Sequence, residues 1–424
     1  MDRLSLLPNE LLDDIFDLSH TLKQPLTGPL SKRLLPFFHR SFYRDISLSS
    51  YEQLEQLCQT SEARPDLPSH IRTLKFAIPI EENESELEDP QRPTNDAVLN
   101  LLSHLNTLKK LRIFGVSRIA CLLLFPPDST IYPFRTTLLV LQLGSSFDPH
   151  HAPYRLLFDS ELHQYRALES LVLHVDRTEG TIDSDADGLE NTNTSRNLSS
   201  RIGFFQLSGP LAGSRYAEMI LGSIPAPVEI RLLHTETSPP PIRELLSRVQ
   251  QPRLVTDLDI LANSSDRLGS HVFSPLRLFT QLRSIKLCVR VAFEDVLLAL
   301  SGASLEFIHL RWTCEVATTT LTELVTGNTK IETLKYLVLD IVDADRGHPV
   351  PRKMAREELE TLDLEDLDWY GPQWTNDFSR DGFKEFLKVA ASEGVKVTGD
   401  AVEALEIEDE WEEEMKYYGS VLKS

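Results

Sequence analysis

The chain has 424 residues, 41% of them hydrophobic, with 64 acidic against 43 basic side chains and a formal net charge of −21. The length points to more than one domain or to an elongated one. The charge argues against nucleic-acid binding, which needs a cationic surface. No run of about 18 apolar residues occurs, so no membrane span is expected.

The first element is LSLLPNELLDDIF, residues 4–16. Pro8 suits the first turn of a helix, where its missing N–H costs nothing, and Glu10 complements the helix dipole. Leu11, Leu12, Ile15 and Phe16 form one stripe at i, i+1, i+4 and i+5. Leu26, Leu30, Leu34 and Leu35 add apolar surface, and residues 23–44 contain no acid. FFHRSFYRDI (37–46) predicts a second or third helix carrying aromatic and basic groups. Some 45 residues are marginal as an independent fold, about the size at which a hydrophobic core becomes self-sufficient. Their apolar side chains therefore call for a partner, either the rest of this chain or another protein.

A short pattern then recurs: apolar, two of any residue, apolar, one of any residue, apolar. It stands at 71 (IRTLKF), 108 (LKKLRI), 138 (LLVLQL), 168 (LESLVL) and 202 (IGFFQL). It returns at 255 (VTDLDI), 282 (LRSIKL), 305 (LEFIHL), 334 (LKYLVL) and 359 (LETLDL), with a weaker copy at 227 (PVEIRL). The mean step is about 29 residues, at the upper end of the leucine-rich-repeat period. The second half of each copy alternates apolar and polar, which is strand-like. Amphipathic helix signals separate the copies at 96–105, 215–224, 241–249, 293–300 and 318–325. The expected fold is α/β: a leucine-rich-repeat solenoid with a curved parallel sheet inside and helices outside, each repeat burying its apolar face against its neighbours. An ordinary doubly wound domain is the alternative, but such sheets rarely need ten or more similar strands. LKVAASEGVKVTG (387–399) reads as a final helix and strand closing the solenoid.

Three stretches break the rhythm. EENESELEDP (81–90) and residues 178–200 are polar and read as solvated excursions. DSDADG within the second begins like a calcium loop, but the glutamate needed six residues after the glycine is Thr194. The stretch 403–424 is acidic and reads as a solvated, partly helical end.

The motifs of chemistry are missing. Neither phosphate-cradling loop occurs, nor GxSxG or HExxH. His150 and His151 are adjacent and would point apart on a strand, so they read as loop residues rather than metal ligands. Cys58, Cys121, Cys288 and Cys314 lie far apart and read as reduced thiols of a cytoplasmic or nuclear protein. No catalytic residue, metal or cofactor is expected. No long apolar stretch follows Asp2 and Arg3, so no secretory leader is expected either.

The head resembles the F-box family. Leu7-Pro8, Glu10-Leu11-Leu12 and Ile15-Phe16 match its opening, and LSKRLLPFFHRSFYRDISLSS (30–50) is similar to its later part. The resemblance implies a trihelical bundle docking on the Skp adaptor of an SCF ubiquitin ligase, and through it on a cullin. The anchors would be Leu7, Pro8, Leu11, Leu12, Ile15, Phe16 and Leu30, with Lys32, Arg33 and Arg40 supplying charge. F-box proteins often carry leucine-rich repeats as substrate-binding modules. The implied organisation is a docking module at 1–50, a solenoid at 51–399 and an acidic tail at 400–424. The alternative is an interaction scaffold whose head merely caps the solenoid.

The residues between the apolar positions of each copy must face away from the core, onto the concave side of the sheet. Early copies place Lys75, Lys110 and Arg112 there, middle copies Asp257 and Asp259, and the copy at 359 Asp363 and Glu365. Between these come Lys286, Phe307, His309 and Arg311, flanked by Trp312, with Trp369 and Trp374 in a following loop. Aromatic and guanidinium groups are enriched at binding hot spots. This group is the candidate substrate-binding site, with an acidic protein segment or a bound anion expected against Lys286, His309 and Arg311.

Overall fold

The structure, a computed structural model, describes residues 7–9, 11–12, 15, 32–77, 95–114, 132–144, 164–174, 201–209, 215–234, 242–262, 267–311, 314–327, 329–341 and 378–422. Phe16, Leu30, Cys121, the histidine pair, the two polar excursions, Trp312, the repeat copy at 359, Trp369 and Trp374 lie outside them. The chain divides into two compact units, Met1–Pro227 and Val228–Ser424.

The first unit contains α1 (Leu35–Phe42), β1 (Asp45–Leu48), α2 (Tyr51–Ala63), β2 (Thr73–Ala77), α3 (Asn95–His104) and β3 (Lys110–Phe114). It continues through β4 (Val140–Gly144), β5 (Ser170–His174), β6 (Phe204–Ser208) and α4 (Arg215–Ser223). Its strands pair in parallel and in chain order, from β1 to β6. The second unit contains β7 (Glu229–His234), α5 (Ile242–Arg248), β8 (Asp257–Ala262), β9 (Ser284–Cys288), β10 (Val291–Ala292), α6 (Phe293–Ala299) and β11 (Phe307–Arg311). After these come β12 (Cys314–Glu315), α7 (Thr318–Thr326), β13 (Tyr336–Asp340), α8 (Arg380–Ser392), β14 (Lys396–Thr398) and α9 (Asp400–Leu422). Its main sheet is also parallel, in the order β7, β8, β9, β11, β13, β14, and β10 pairs with β12 in a short side ladder.

One strand per repeat, each beside the next, is what the leucine-rich-repeat pattern demands. In the copy at 108, Leu108, Leu111 and Ile113 are at most 1% exposed, and so are Leu305, Ile308 and Leu310 in the copy at 305. A recurring backbone contact fixes the register. The carbonyl of Arg72 accepts the amides of both Lys109 and Lys110. Thr256 does the same for Arg283 and Ser284, and Arg283 for Glu306 and Phe307. A slip of one residue would break this contact and turn every apolar side chain outward. Threonines just ahead of the strands reinforce it: the Thr107, Thr137 and Thr333 hydroxyls donate to the carbonyls of Ile71, Leu108 and Leu305.

The sheet starts earlier than the repeat pattern placed it. β1 falls inside residues 1–50, pairing Asp45–Leu48 with Thr73–Phe76, and Leu48 is 4% exposed. YRDISL at 43 is a further copy of the pattern with tyrosine in first place, one period before the copy at 71. At the other end, the acidic stretch is not merely solvated. α9 buries Ala401, Ala404 and Leu405 at i, i+3 and i+4, the stripe of a docked helix. Its acids meet bases of α8: Arg380 contacts Glu408 at 3.1 Å and bonds Asp409 and Glu412, while Lys384 reaches Asp409 at 2.6 Å.

Candidate functional site

Two surfaces follow from this framework, one on the head and one on the exposed face of the second unit's sheet. In the head, Asn9, Leu11, Leu12 and Ile15 are helical, and the Leu12 amide donates to the Pro8 carbonyl at 3.1 Å. Leu12 and Leu34 are fully buried against each other, with Leu7, Phe37 and Phe38 packed around them. Pro36 stands in the first turn of α1, where a proline starts a helix without loss. Arg33 donates to the Leu7 carbonyl at 2.9 Å and the Asn9 side chain at 3.4 Å, tying the chain before α1 to the start of the first helix.

This small core sorts the expected anchors. Leu12 is internal and holds the head together. Pro8 and Leu11 face outward, and Leu7 and Ile15 are half-buried. Lys32, Arg33 and Arg40 are exposed, Arg40 lying over the Phe37 ring. Two residues outside the expected anchor set join the surface: Leu35, expected only as added apolar surface, and Phe42, expected only as part of an aromatic helix, are 42% and 58% exposed. Their spacing of seven residues puts them on one face of α1, and Phe42 stacks on Phe38 at 5.4 Å.

On the sheet of the second unit, the polar positions form rows across the strands. One row runs Glu229, Asp257, Ser284, Phe307, Tyr336 and the next Arg231, Asp259, Lys286, His309, Val338. Lys286, Phe307, His309 and Arg311 are thus brought together as the spacing implied. Lys286 and His309 are register partners, and Phe307 and Arg311 share β11 with His309. Two of the three basic groups are engaged. His309 bonds the Asp340 carboxylate at 2.6 Å and the Lys286 ammonium sits 6.0 Å from the centre of the Phe307 ring, whereas Arg311, the register partner of Asp340, makes no ion pair with it. Asp340 lies in the copy after the one that supplies His309, so pattern within one copy could not reveal the pair. Its other oxygen accepts the Asp400 amide at the start of α9.

At β7–β9 the same face sinks into a cavity of about 260 Å³, lined by Glu229, Arg231, Asp257, Asp259, Ser284 and Lys286. Arg231 turns to Glu229 on its own strand, at 2.6 Å. In the first unit, Lys75 and Arg112 are register partners and Lys110 lies two residues before Arg112, so the early bases do gather. Lys75 there lies over Phe114.

The remaining titratable groups have structural settings. Burial pushes the Cys58 and Cys314 thiols up to about 11, a range in which a thiol is a poor nucleophile. Arg135 is 3% exposed, packed between Tyr132 and Tyr165 and bonded to Gln164. Among the described residues, no group of three His, Cys, Asp or Glu side chains is placed to hold a metal ion, and no helix is long and apolar enough to cross a membrane.

No protein-family model matches the chain, and no curated protein matches it. Among solved structures it is similar to a crystal structure of a TLR13–ssRNA13 complex, with 14% identity and a TM-score of 0.36. The match covers 65% of this chain and 36% of that one, so the chain spans about a third of its length. The repeat architecture rests on the ladders and burial described above, not on this likeness.

Proposed function

We propose that the chain is a non-catalytic receptor subunit of an SCF-type ubiquitin ligase. Its head docks on the Skp adaptor, and through it on a cullin, while the exposed sheet face of the repeats holds a protein substrate. The observation that carries this reading is the head itself. A proline-started helix shares a private core with α1, and the pair leaves Leu11, Leu35 and Phe42 uncovered. Such side chains are the kind that a protein partner covers. The chain would act by proximity, raising the effective concentration of bound substrate near the ubiquitin-charged enzyme. It would work in the cytoplasm or nucleus and need no cofactor.

Co-purification with a Skp adaptor tests the reading. The double variant Leu11→Asp, Ile15→Asp should lose the adaptor while keeping the repeats folded; retention of the adaptor by a folded variant would overturn it. The other reading, a scaffold whose head is a cap, draws on one observation. The Arg44 carbonyl, just after α1, accepts the amides of Arg72 and Thr73 and joins the head to the first repeat. On that reading no adaptor co-purifies, and head variants instead lower the stability of β1 and β2.

A further inference from the structure

The exposed face of the second unit's sheet carries an imbalance. Asp257 and Asp259 are two residues apart on β8, so their Cα atoms are about 7 Å apart and their side chains point the same way. Both border the cavity. Two cations are close enough in register to neutralise them, and each is engaged elsewhere. Arg231, the register partner of Asp259, is held by Glu229, and Lys286, its partner on the other side, lies over Phe307. Asp257 takes a hydrogen bond from the Thr256 hydroxyl at 2.7 Å. Among the described residues, no cation lies within ion-pair distance of either carboxylate.

Further along the row that holds Asp257, the character changes. Ser284 is small, and beyond it Phe307 and Tyr336 are register partners, Tyr336 50% exposed. With strands about 4.8 Å apart, Phe307 lies roughly 10 Å and Tyr336 roughly 14 Å from Asp257. An extended segment rises about 3.4 Å per residue, so three or four residues span that distance.

We propose that this face docks an extended protein segment lying across the strands, with an arginine or lysine seated at Asp257 and Asp259 and an apolar side chain three or four residues away against Phe307 and Tyr336. The polarity is the reverse of the acidic segment expected from the run Lys286, His309 and Arg311. The reason is that Lys286 is occupied by an aromatic ring and His309 by Asp340, leaving Arg311 alone among the described residues of that run at the far end of β11, whereas the two aspartates at the cavity are not neutralised. Glu229 adds negative charge at the cavity edge. Ser284 leaves room for the segment to cross β9, where a larger side chain would block it. The inference rests on the reading of the sheet face as the substrate-binding surface, and it names the substrate's chemistry.

Selection of a random peptide library displayed on phage against the full-length chain tests it. Enriched peptides should share an arginine or lysine three or four positions from a leucine or an aromatic residue. A synthetic consensus peptide should lose at least tenfold in affinity on Asp257→Asn, Asp259→Asn, and severalfold on Tyr336→Ser. The asparagines keep the shape and the acceptor for Thr256, so a loss reports charge rather than unfolding. Lys286→Ser removes a cation from the cavity edge and uncovers the Phe307 ring, so it should tighten binding rather than weaken it. Enriched acidic peptides that are lost on Lys286→Ser would overturn the polarity while leaving the face as the docking surface. Peptides indifferent to all of these changes, or no enrichment at all, would overturn the face as a peptide site, whatever the head does with the adaptor.

Discussion

The division of labour between Leu11 and Leu12 can be tested by truncating each in turn. Among the described residues of the head, Leu12 and Leu34 are the fully buried pair, so Leu12→Ala removes much of what holds these residues together. Buried Leu→Ala changes cost about 2–5 kcal/mol, with the low end expected where a small core can collapse. That is enough to melt a unit that contributes so little buried surface of its own. Leu11, 47% exposed, gives up little in the free protein. Together with Leu35 and Phe42 it leaves uncovered the equivalent of about one and a half large apolar side chains, at about 1.5–3 kcal/mol for each one fully buried. Covering that surface contributes about 2–4 kcal/mol, a change in Kd of roughly 30- to 1,000-fold. Hydrogen exchange separates the two classes. Leu12→Ala should lose protection at the amides of Leu12 and Phe38, which bond the Pro8 and Leu34 carbonyls. The triple variant Leu11→Ala, Leu35→Ala, Phe42→Ala should keep that protection yet weaken adaptor binding by the stated factor, measured by titration calorimetry. A triple variant that binds the adaptor as tightly as wild type, with the head still protected, would refute the argument that these side chains form the contact.

Three further outcomes are expected. Lys384 and Arg380 hold the Asp409 carboxyl below its ordinary value, and Arg380 does the same for Glu412. Lowered carboxylates stabilise the fold above their ordinary range and lose that contribution as pH falls through the lowered values. The Tm should therefore drop on acidification below about pH 4.5, and Arg380→Ala should lower the Tm at pH 7 and flatten that part of the profile. Cys58 and Cys314, raised to about 11, should resist iodoacetamide at pH 8 in the native protein and react within minutes in denaturant, as followed by mass spectrometry. Gly399 has φ +108°, and a Cβ there would lie 2.6 Å from the Asp340 carboxylate that accepts the Asp400 amide. Gly399→Ala should cost about 1–3 kcal/mol and loosen α9, read as faster exchange in its first turns.

Legibility in this chain follows the range of the interaction that fixes each feature. The apolar positions of the repeats needed only their own spacing: in every described copy from 71 to 334 the residues at the fourth and sixth positions are buried, from Leu74 and Phe76 to Leu337 and Leu339. Helices α3 to α7 announced themselves in the same way. β1 escaped because the first apolar position of its copy is Tyr43, which read as part of an aromatic helix, although YRDISL keeps both the spacing and the period. The docking of α9 escaped because its acids counted as solvation. Ala401, Ala404 and Leu405 carried the opposite signal, and the bases that meet the acids stand 25–32 residues earlier on α8.

Charge on the sheet face is a property of rows, and a row takes one residue from each repeat. His309 becomes a partner of Asp340 only because β11 and β13 are neighbours, and Asp259 is left without a cation only because both its neighbours turn away. A parallel ladder sets strands about 4.8 Å apart, inside the range at which charges choose among partners, so each choice depends on residues some 30 positions distant. Counting bases along one strand therefore overstates the cation available to a ligand, and counting acids along another understates the anion. The sign of a repeat protein's binding face is settled by which side chains find each other first. On this face Arg231, Lys286 and His309 found partners, and the two aspartates of β8 found no cation.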